Sequence, residues 1–267
     1  MDKKEIASFF DSLAESWDEE MIKSQWKIDR ILSIAEVTQG KSVLDVACGT
    51  GVLVPDYISR NVRKYVGIDI SHNMIEIAKN KFLGYGNISY ICEDAETYKF
   101  SESFDCIVIY NAFPHFANRT LLFENLSAHL NDSGRITIAH GMSRENLTRH
   151  HSGRAESVST ILPEISELKE IMKPYFNIDT CISDNDMYVI SGTKLWLITL
   201  YHFKVLTFGF WCVTIHLESW NTYFQADGVV FRPGKSVGDT ESTVSSGQKR
   251  SFSPVPTFKK AWFYAVL

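Results

Sequence analysis

The sequence has no Cys-x-x-Cys pair, no His-x-x-x-His pair, no internal repeat and no apolar leader, and each absence removes a class of protein. Its five cysteines, Cys48, Cys92, Cys106, Cys181 and Cys212, are odd in number and lie mostly in apolar, strand-like runs. They read as buried thiols of a reducing compartment rather than a disulfide framework or a zinc ribbon. Met1-Asp2-Lys3-Lys4-Glu5 opens onto an amphipathic stretch with no signal core or cleavage site, so a cytoplasmic protein is expected. Basic residues are outnumbered, 27 against 32 acidic, for a net charge of −5. A broad basic face is therefore missing, and a small molecule is a better partner than a nucleic acid.

What is present from residue 41 onward is an alternation of short β-branched runs with helix-period segments, the pattern of a parallel sheet wrapped by helices. Strands are expected at Ser42–Ala47, Tyr65–Asp69, Ile88–Cys92, Phe104–Tyr110, Arg135–Ala139, Phe176–Cys181 and Asp186–Ser191. Helices are expected at Val52–Ser59, His72–Phe82, Arg119–Leu130 and Pro163–Met172. The short Ser183-Asp184-Asn185 link predicts that the last two strands form an antiparallel hairpin. Ahead of the sheet, residues 3–36 read as two helices with Phe9, Phe10, Leu13 and Trp17 at helical spacing. That stripe is either core packing or a lid. The division that follows is a helical cap over 1–40, a ligand-binding domain over 41–194 and an extension over 195–267.

The first strand, Val43-Leu44-Asp45-Val46-Ala47, runs directly into Cys48-Gly49-Thr50-Gly51. Glycines there let the chain turn sharply and let a ligand approach the backbone. In an open α/β sheet such a turn lies in the crevice where nucleotide-like ligands bind. The turn becomes informative because acids recur at successive strand ends: Asp45 before the loop, Asp69 closing strand two, Asp94 after strand three. Asp69 suits a pair of ribose hydroxyls and Asp94 an adenine amino group. Asp45 suits the loop backbone or, through water, a cationic ligand tail. Singly, each also reads as a helix cap or turn residue.

These segments resemble the class I S-adenosylmethionine-dependent methyltransferases, particularly the small-molecule branch that includes ubiquinone and menaquinone biosynthesis enzymes. The resemblance rests on residues 43–51, on Gly67-Ile68-Asp69-Ile70-Ser71-His72-Asn73-Met74, on Glu93-Asp94-Ala95-Glu96 and on Phe104–Phe113. It covers about residues 10–194. It implies an α/β Rossmann-like, seven-stranded, mostly parallel sheet of order 3-2-1-4-5-7-6. It also implies S-adenosyl-L-methionine as cofactor, held by Asp45, Ala47, Cys48, Gly49, Thr50, Gly51, Asp69, Ile70, Met74, Asp94, Ala95, Asn111 and Ala112. In that scheme Met74 packs on adenine, while Asn111 and Ala112 face the methionine portion.

Methyl transfer chiefly requires that donor and acceptor be aligned and water excluded. An acceptor that must lose a proton also benefits from a base, and histidine is the usual one. His115 follows strand four and His140 follows strand five, so the two are candidate catalytic bases sharing one cleft, unless they bond strand termini. Arg144, Arg149 and Arg154 form either an anion-binding face or a solvated loop. With His150 and His151 nearby a metal site comes to mind, but the spacings fit no zinc pattern and no metal is expected.

Beyond residue 194 the composition shifts. Residues 195–217 are nearly all aromatic or aliphatic, long enough to span a bilayer, yet Lys204, His202 and His216 interrupt them. Added strands, a partner-binding segment and a tail that folds poorly stay open there, and residues 233–256 read as disordered. Two rival functions remain. A nicotinamide oxidoreductase is disfavoured because Val54 replaces the third glycine of its fingerprint. A non-catalytic binding protein on the same fold is the other.

Overall fold

In the computed structural model, described for residues 2–151, 155–195 and three strands between 213 and 231, the chain divides into two units, Met1–Ile198 and Thr199–Leu267. The first holds β1 (Ser42–Val46), β2 (Lys64–Asp69), β3 (Ile88–Cys92), β4 (Phe104–Tyr110), β5 (Leu130–His140), β6 (Phe176–Ser183) and β7 (Tyr188–Lys194) in the order β3-β2-β1-β4-β5-β7-β6. Strands β1 to β5 are parallel, and β7 runs antiparallel to both β5 and β6. This is the seven-stranded order that the resemblance implied.

The sequence explains why β1 sits centrally. All five of its residues are buried, as befits a strand covered on both faces. It pairs with β2 on one side and β4 on the other, Val46 lying opposite both Ile68 and Ile109. The strand order reverses between β1 and β4, so the residues leaving β1 open onto the switch-point crevice.

Helices α4 (Val54–Ser59), α5 (His72–Lys81), α6 (Arg119–Ala128) and α8 (Ile165–Met172) fall inside the expected segments, while α7 (Arg144–His151) was not anticipated. Its Arg-rich, His-rich sequence lacks an apolar stripe to announce it. The N-terminal region forms three helices, not two: α1 (Lys3–Leu13), α2 (Trp17–Glu20) and α3 (Gln25–Ile34). The extra break comes at Met21, extended at ψ 123, after a single turn rich in acids. Strand β5 starts five residues earlier than expected, because Leu130 already pairs with Phe104.

At the far edge a polar cluster ties the hairpin to the sheet. Arg135 on β5 donates to both Asp179 oxygens on β6 at 2.8 Å and ion-pairs Glu36 at 2.9 Å. In the second unit, β8 (Val213–Glu218), β9 (Asn221–Ala226) and β10 (Val229–Phe231) make an antiparallel sheet of order β10-β9-β8. Most of the 195–217 run and all of 233–256 lie outside the described residues. Among the described residues no helix is long and apolar enough to cross a membrane.

Candidate functional site

At the carboxyl ends of β1 to β4 a cleft encloses about 1080 Å³ of space outside atoms, counting its open mouth. From the β1 end it is lined by Asp45, Ala47, Cys48 and Gly49, and from β2 and the start of α5 by Asp69, Ile70 and Met74. Asp94 and Ala95 reach it after β3, and Asn111 and Ala112 after β4. Thr50 and Gly51 do not line it. Thr50 is buried and donates to Asp18 at 2.6 Å. Gly51 forms the back of the turn at φ +79°, where a Cβ would meet the Phe82 ring at 2.8 Å. These two residues shape the loop from behind.

The turn is braced by Asp69. Its Oδ2 accepts from the Gly49 backbone N–H at 2.8 Å and its Oδ1 from Ser71 N–H at 2.9 Å. Asp45, for which a bond to the loop backbone or, through water, to a cationic ligand tail was expected, accepts from the Tyr65 hydroxyl at 3.2 Å, and the bracing of the loop backbone falls to Asp69. Burial pushes the Asp45 carboxyl up to about 8, with the Tyr65 hydrogen bond opposing and the nearby Asp69 charge adding. Burial also raises Asp69, opposed by the backbone N–H groups of Ser71, Gly49 and Ile70.

Two non-glycine residues at the cleft hold left-handed backbone: Ala47 at φ 56° and Asn111 at φ 54°. Such a conformation costs energy and recurs at ligand sites. The Asn111 side chain accepts from Gly141 N–H at 2.9 Å, fixing the end of β4 to the end of β5.

A wall built from the N-terminal helices was only partly foreseen. Lys3, Ile6 and Phe10 of α1, Trp17 of α2 and Met21 complete the lining. Of the expected stripe, Phe10 and Trp17 face the cleft, whereas Leu13 is buried in the packing. Lys3 ion-pairs Asp94 at 3.3 Å and Glu96 at 2.6 Å. Asp11 accepts from the Ser71 hydroxyl at 2.6 Å and from Asn73 N–H at 2.9 Å. Nothing in the sequence marks Lys3, Ile6 or Met21, since their role depends on how α1 crosses the strand ends.

The two histidines part company. His115, in a turn of 3₁₀ helix over Phe113–His115, lines the cleft; its Nδ1 lies 2.9 Å from the Val158 carbonyl. Only a donor satisfies a carbonyl, so Nδ1 carries the proton and the neutral ring holds its lone pair on Nε2. Burial lowers its pKa, with the Val158 bond opposing. His140 does not join it: it is fully buried at the end of β5, with the Tyr188 ring 6.2 Å away, and is not among the cleft residues. Its expected place in a shared site fails because it ends a strand buried on both faces.

Of the three arginines, the two that are described, Arg144 and Arg149, do not line the cleft. Arg144 ion-pairs Glu164 at 2.8 Å and Arg149 donates to Asn146. Arg154 and the side chains of His150 and His151 lie outside the described residues. Among those residues no group of three His, Cys, Asp or Glu is placed to hold a metal.

A methyltransferase-domain family model matches residues 43–134, the stretch that carries β1 to the start of β5. Malonyl-[acyl-carrier protein] O-methyltransferase 2 of Ilyobacter polytropus is 28% identical over 141 residues, 52% of this chain and 54% of the relative. Ubiquinone biosynthesis O-methyltransferase of Coxiella burnetii is 27% identical over 143 residues, 51% of this chain and 61% of the relative. The chain thus matches little more than half the length of these relatives. Among solved structures, a Haloferax volcanii methyltransferase in complex with the Trm112 activator has a TM-score of 0.61 at 17% identity, covering 71% of this chain and 97% of that one. Magnesium protoporphyrin IX methyltransferase of Synechocystis, with bound S-adenosylhomocysteine, has a TM-score of 0.56 at 17% identity, covering 73% and 100%. The sheet order and the glycine turn with its acids define a Rossmann-like methyltransferase fold. On that fold, residues 43–134 are similar to a methyltransferase domain.

Proposed function

We propose that the chain binds S-adenosyl-L-methionine in the cleft beyond β1 and transfers its methyl group to a small-molecule acceptor. The observation that carries this reading is the convergence of Asp45, Asp69 and Asp94, from three strand ends, on one cavity beside the Gly49 turn. A Cβ at Gly49 would stand 3.8 Å from Trp17 Nε1 and 4.0 Å from Met74 Sδ, so its absence leaves a ligand room between them.

In this reading Asp69 holds the ribose with the acceptor capacity left by its two N–H bonds, and Asp94 takes the adenine amino group. Met74, Ile70 and Ala95 pack against the base. Ala47, Cys48, Gly49, Asn111 and Ala112 surround the methionine portion, and Thr50 and Gly51 hold the loop. The bound cofactor supplies an electrophilic methyl on a sulfonium. The protein aligns the acceptor and excludes water, through a cap formed by residues 1–40 over a binding domain of 41–194. His115, neutral at pH 7 and with its lone pair on Nε2, is the base for an acceptor that must lose a proton; His140 has no part in the site.

Calorimetric titration with S-adenosylhomocysteine and with NAD tests this directly. The expected result is saturable binding of the first, at micromolar Kd, and none of the second. NAD binding without S-adenosylhomocysteine binding overturns the reading.

A further inference from the structure

Helix α1 carries a cation where helix physics disfavours one. Lys3 is its first residue, so the ammonium belongs to the end at which the backbone dipole is already positive. The side chain turns to two acids beyond β3, with Nζ 2.6 Å from Glu96 Oε1 and 3.3 Å from Asp94 Oδ1. Ile6 and Phe10 continue the same cleft-facing stripe of α1. The position of Lys3 is therefore explained by what it meets across the cleft and not by the stability of its own helix.

Both acids are held from more than one side. Glu96 is 3% exposed, and its Oε1 also accepts Asn118 N–H at 3.0 Å. A carboxylate so buried needs its counter-ion, which pins the Lys3 ammonium in place. Asp94 Oδ1 accepts Glu96 N–H at 3.0 Å as well as the Lys3 ammonium. That oxygen is filled by the protein, and Oδ2 is the one left to a ligand. Among the described residues lining the cleft, Lys3 is the one lysine or arginine.

We propose that Lys3 is a positioning residue for the cofactor's base: by holding Asp94 Oδ1 it leaves Oδ2 as a fixed acceptor, and so makes the site select a 6-amino purine over its 6-oxo counterpart. This rests on the methyltransferase reading above, which puts adenine at Asp94. A 6-amino group donates to Oδ2. A 6-oxo group sets an acceptor against a carboxylate, and its ring carries the nearest proton on N1 instead. Reaching that proton requires the carboxyl to turn, which the Lys3 ammonium prevents. Without the ammonium the carboxyl can turn to either purine. Selection thus depends on Lys3 even though Asp94 makes the contact.

Calorimetry on the full chain with S-adenosylhomocysteine and S-inosylhomocysteine, its 6-oxo counterpart, reads the preference as a ratio of Kd values. The unsubstituted chain is expected to favour the amino compound about 100-fold. Lys3→Met is expected to narrow that ratio to about tenfold or less, and Lys3→Arg to keep it within about threefold of the original. Asp11→Asn loosens the other end of α1, at Ser71 and Asn73, without touching the Lys3 pairs. It is expected to weaken both ligands alike and leave the ratio where it was. An unchanged ratio in Lys3→Met, or an equal change in Asp11→Asn, overturns the inference and leaves the cofactor reading intact. Failure of S-adenosylhomocysteine itself to bind overturns both.

Discussion

Asp69 accepts the backbone N–H of Gly49 at 2.8 Å, so the end of β2 holds the turn that leaves β1. The same carboxylate binds Ser71 N–H at the start of α5, and one side chain thereby fixes two ligand-facing segments. Asp69→Ala removes the acceptor from two backbone donors. We expect S-adenosylhomocysteine affinity to fall about 100-fold, equivalent to ~2.7 kcal/mol. Unfolding free energy should fall by about 1–3 kcal/mol. Calorimetry and urea denaturation measure the two losses separately, and a variant with unchanged Kd would remove Asp69 from the cofactor site.

His115 gives a pH prediction whose sign follows from its environment. Burial depresses its pKa below the ordinary histidine value, so the base form is complete at neutral pH. The kcat/KM profile should rise with pH and level off below about 6.5, the unperturbed value. His115→Gln should lower kcat roughly 10²-fold or more and remove that limb. Retention of full activity and an unchanged profile would deny it the role of base.

Asp45 makes the opposite demand on stability. Its carboxyl, held up to about 8 by burial, titrates near 3.9 when unfolded. Between these values the folded chain holds a proton that the unfolded chain has released. The stabilising contribution is thus whole below about pH 4 and is lost as pH rises toward about 8, at up to ~1.4 kcal/mol per pH unit. Asp45→Asn should flatten that fall, as seen in urea midpoints taken from pH 4 to 8. Parallel curves for the two proteins would mean Asp45 is ionised throughout.

Gly67 shows how little room lies beneath the loop. A Cβ there would come within 2.7 Å of both Cys48 Sγ and Tyr65 Oη. Gly67→Ala should destabilise by about 1–3 kcal/mol through overpacking. It should also weaken S-adenosylhomocysteine binding, because Cys48 belongs to the turn. Thermal unfolding and titration of the same sample check both effects.

Much of the fold was legible because its signals are local. The runs Val43–Val46 and Phe104–Tyr110 are apolar apart from Asp45 and Asp105, as strands largely buried on both faces must be, and the acids at the ends of β1 and β2 and just after β3 mark the crevice. The strand order came from the motif resemblance, since no periodicity encodes which strands are neighbours. The site was less legible where it depends on tertiary placement. His115 and His140 each follow a strand, yet one enters the cleft in a 3₁₀ turn and the other stays in the sheet beside Tyr188. Lys3 carries no local sign of its reach to Asp94, 91 residues on. The polar α7 lacked the stripe by which a helix is read.

The limits 1–40, 41–194 and 195–267 are testable by truncation. A chain ending at Leu195 retains every described residue of the cleft. It should bind S-adenosylhomocysteine with a Kd within threefold of the full chain. A loss of tenfold or more would show that the extension contributes to the site.

The most direct measurement is a crystal structure of the full chain grown with S-adenosylhomocysteine. The expected result is ribose hydroxyls within hydrogen-bond distance of Asp69, the adenine edge at Asp94 and the thioether sulfur between Asn111 and the His115 side of the cleft. A ligand bound elsewhere, or one whose ribose is out of reach of Asp69, would contradict it.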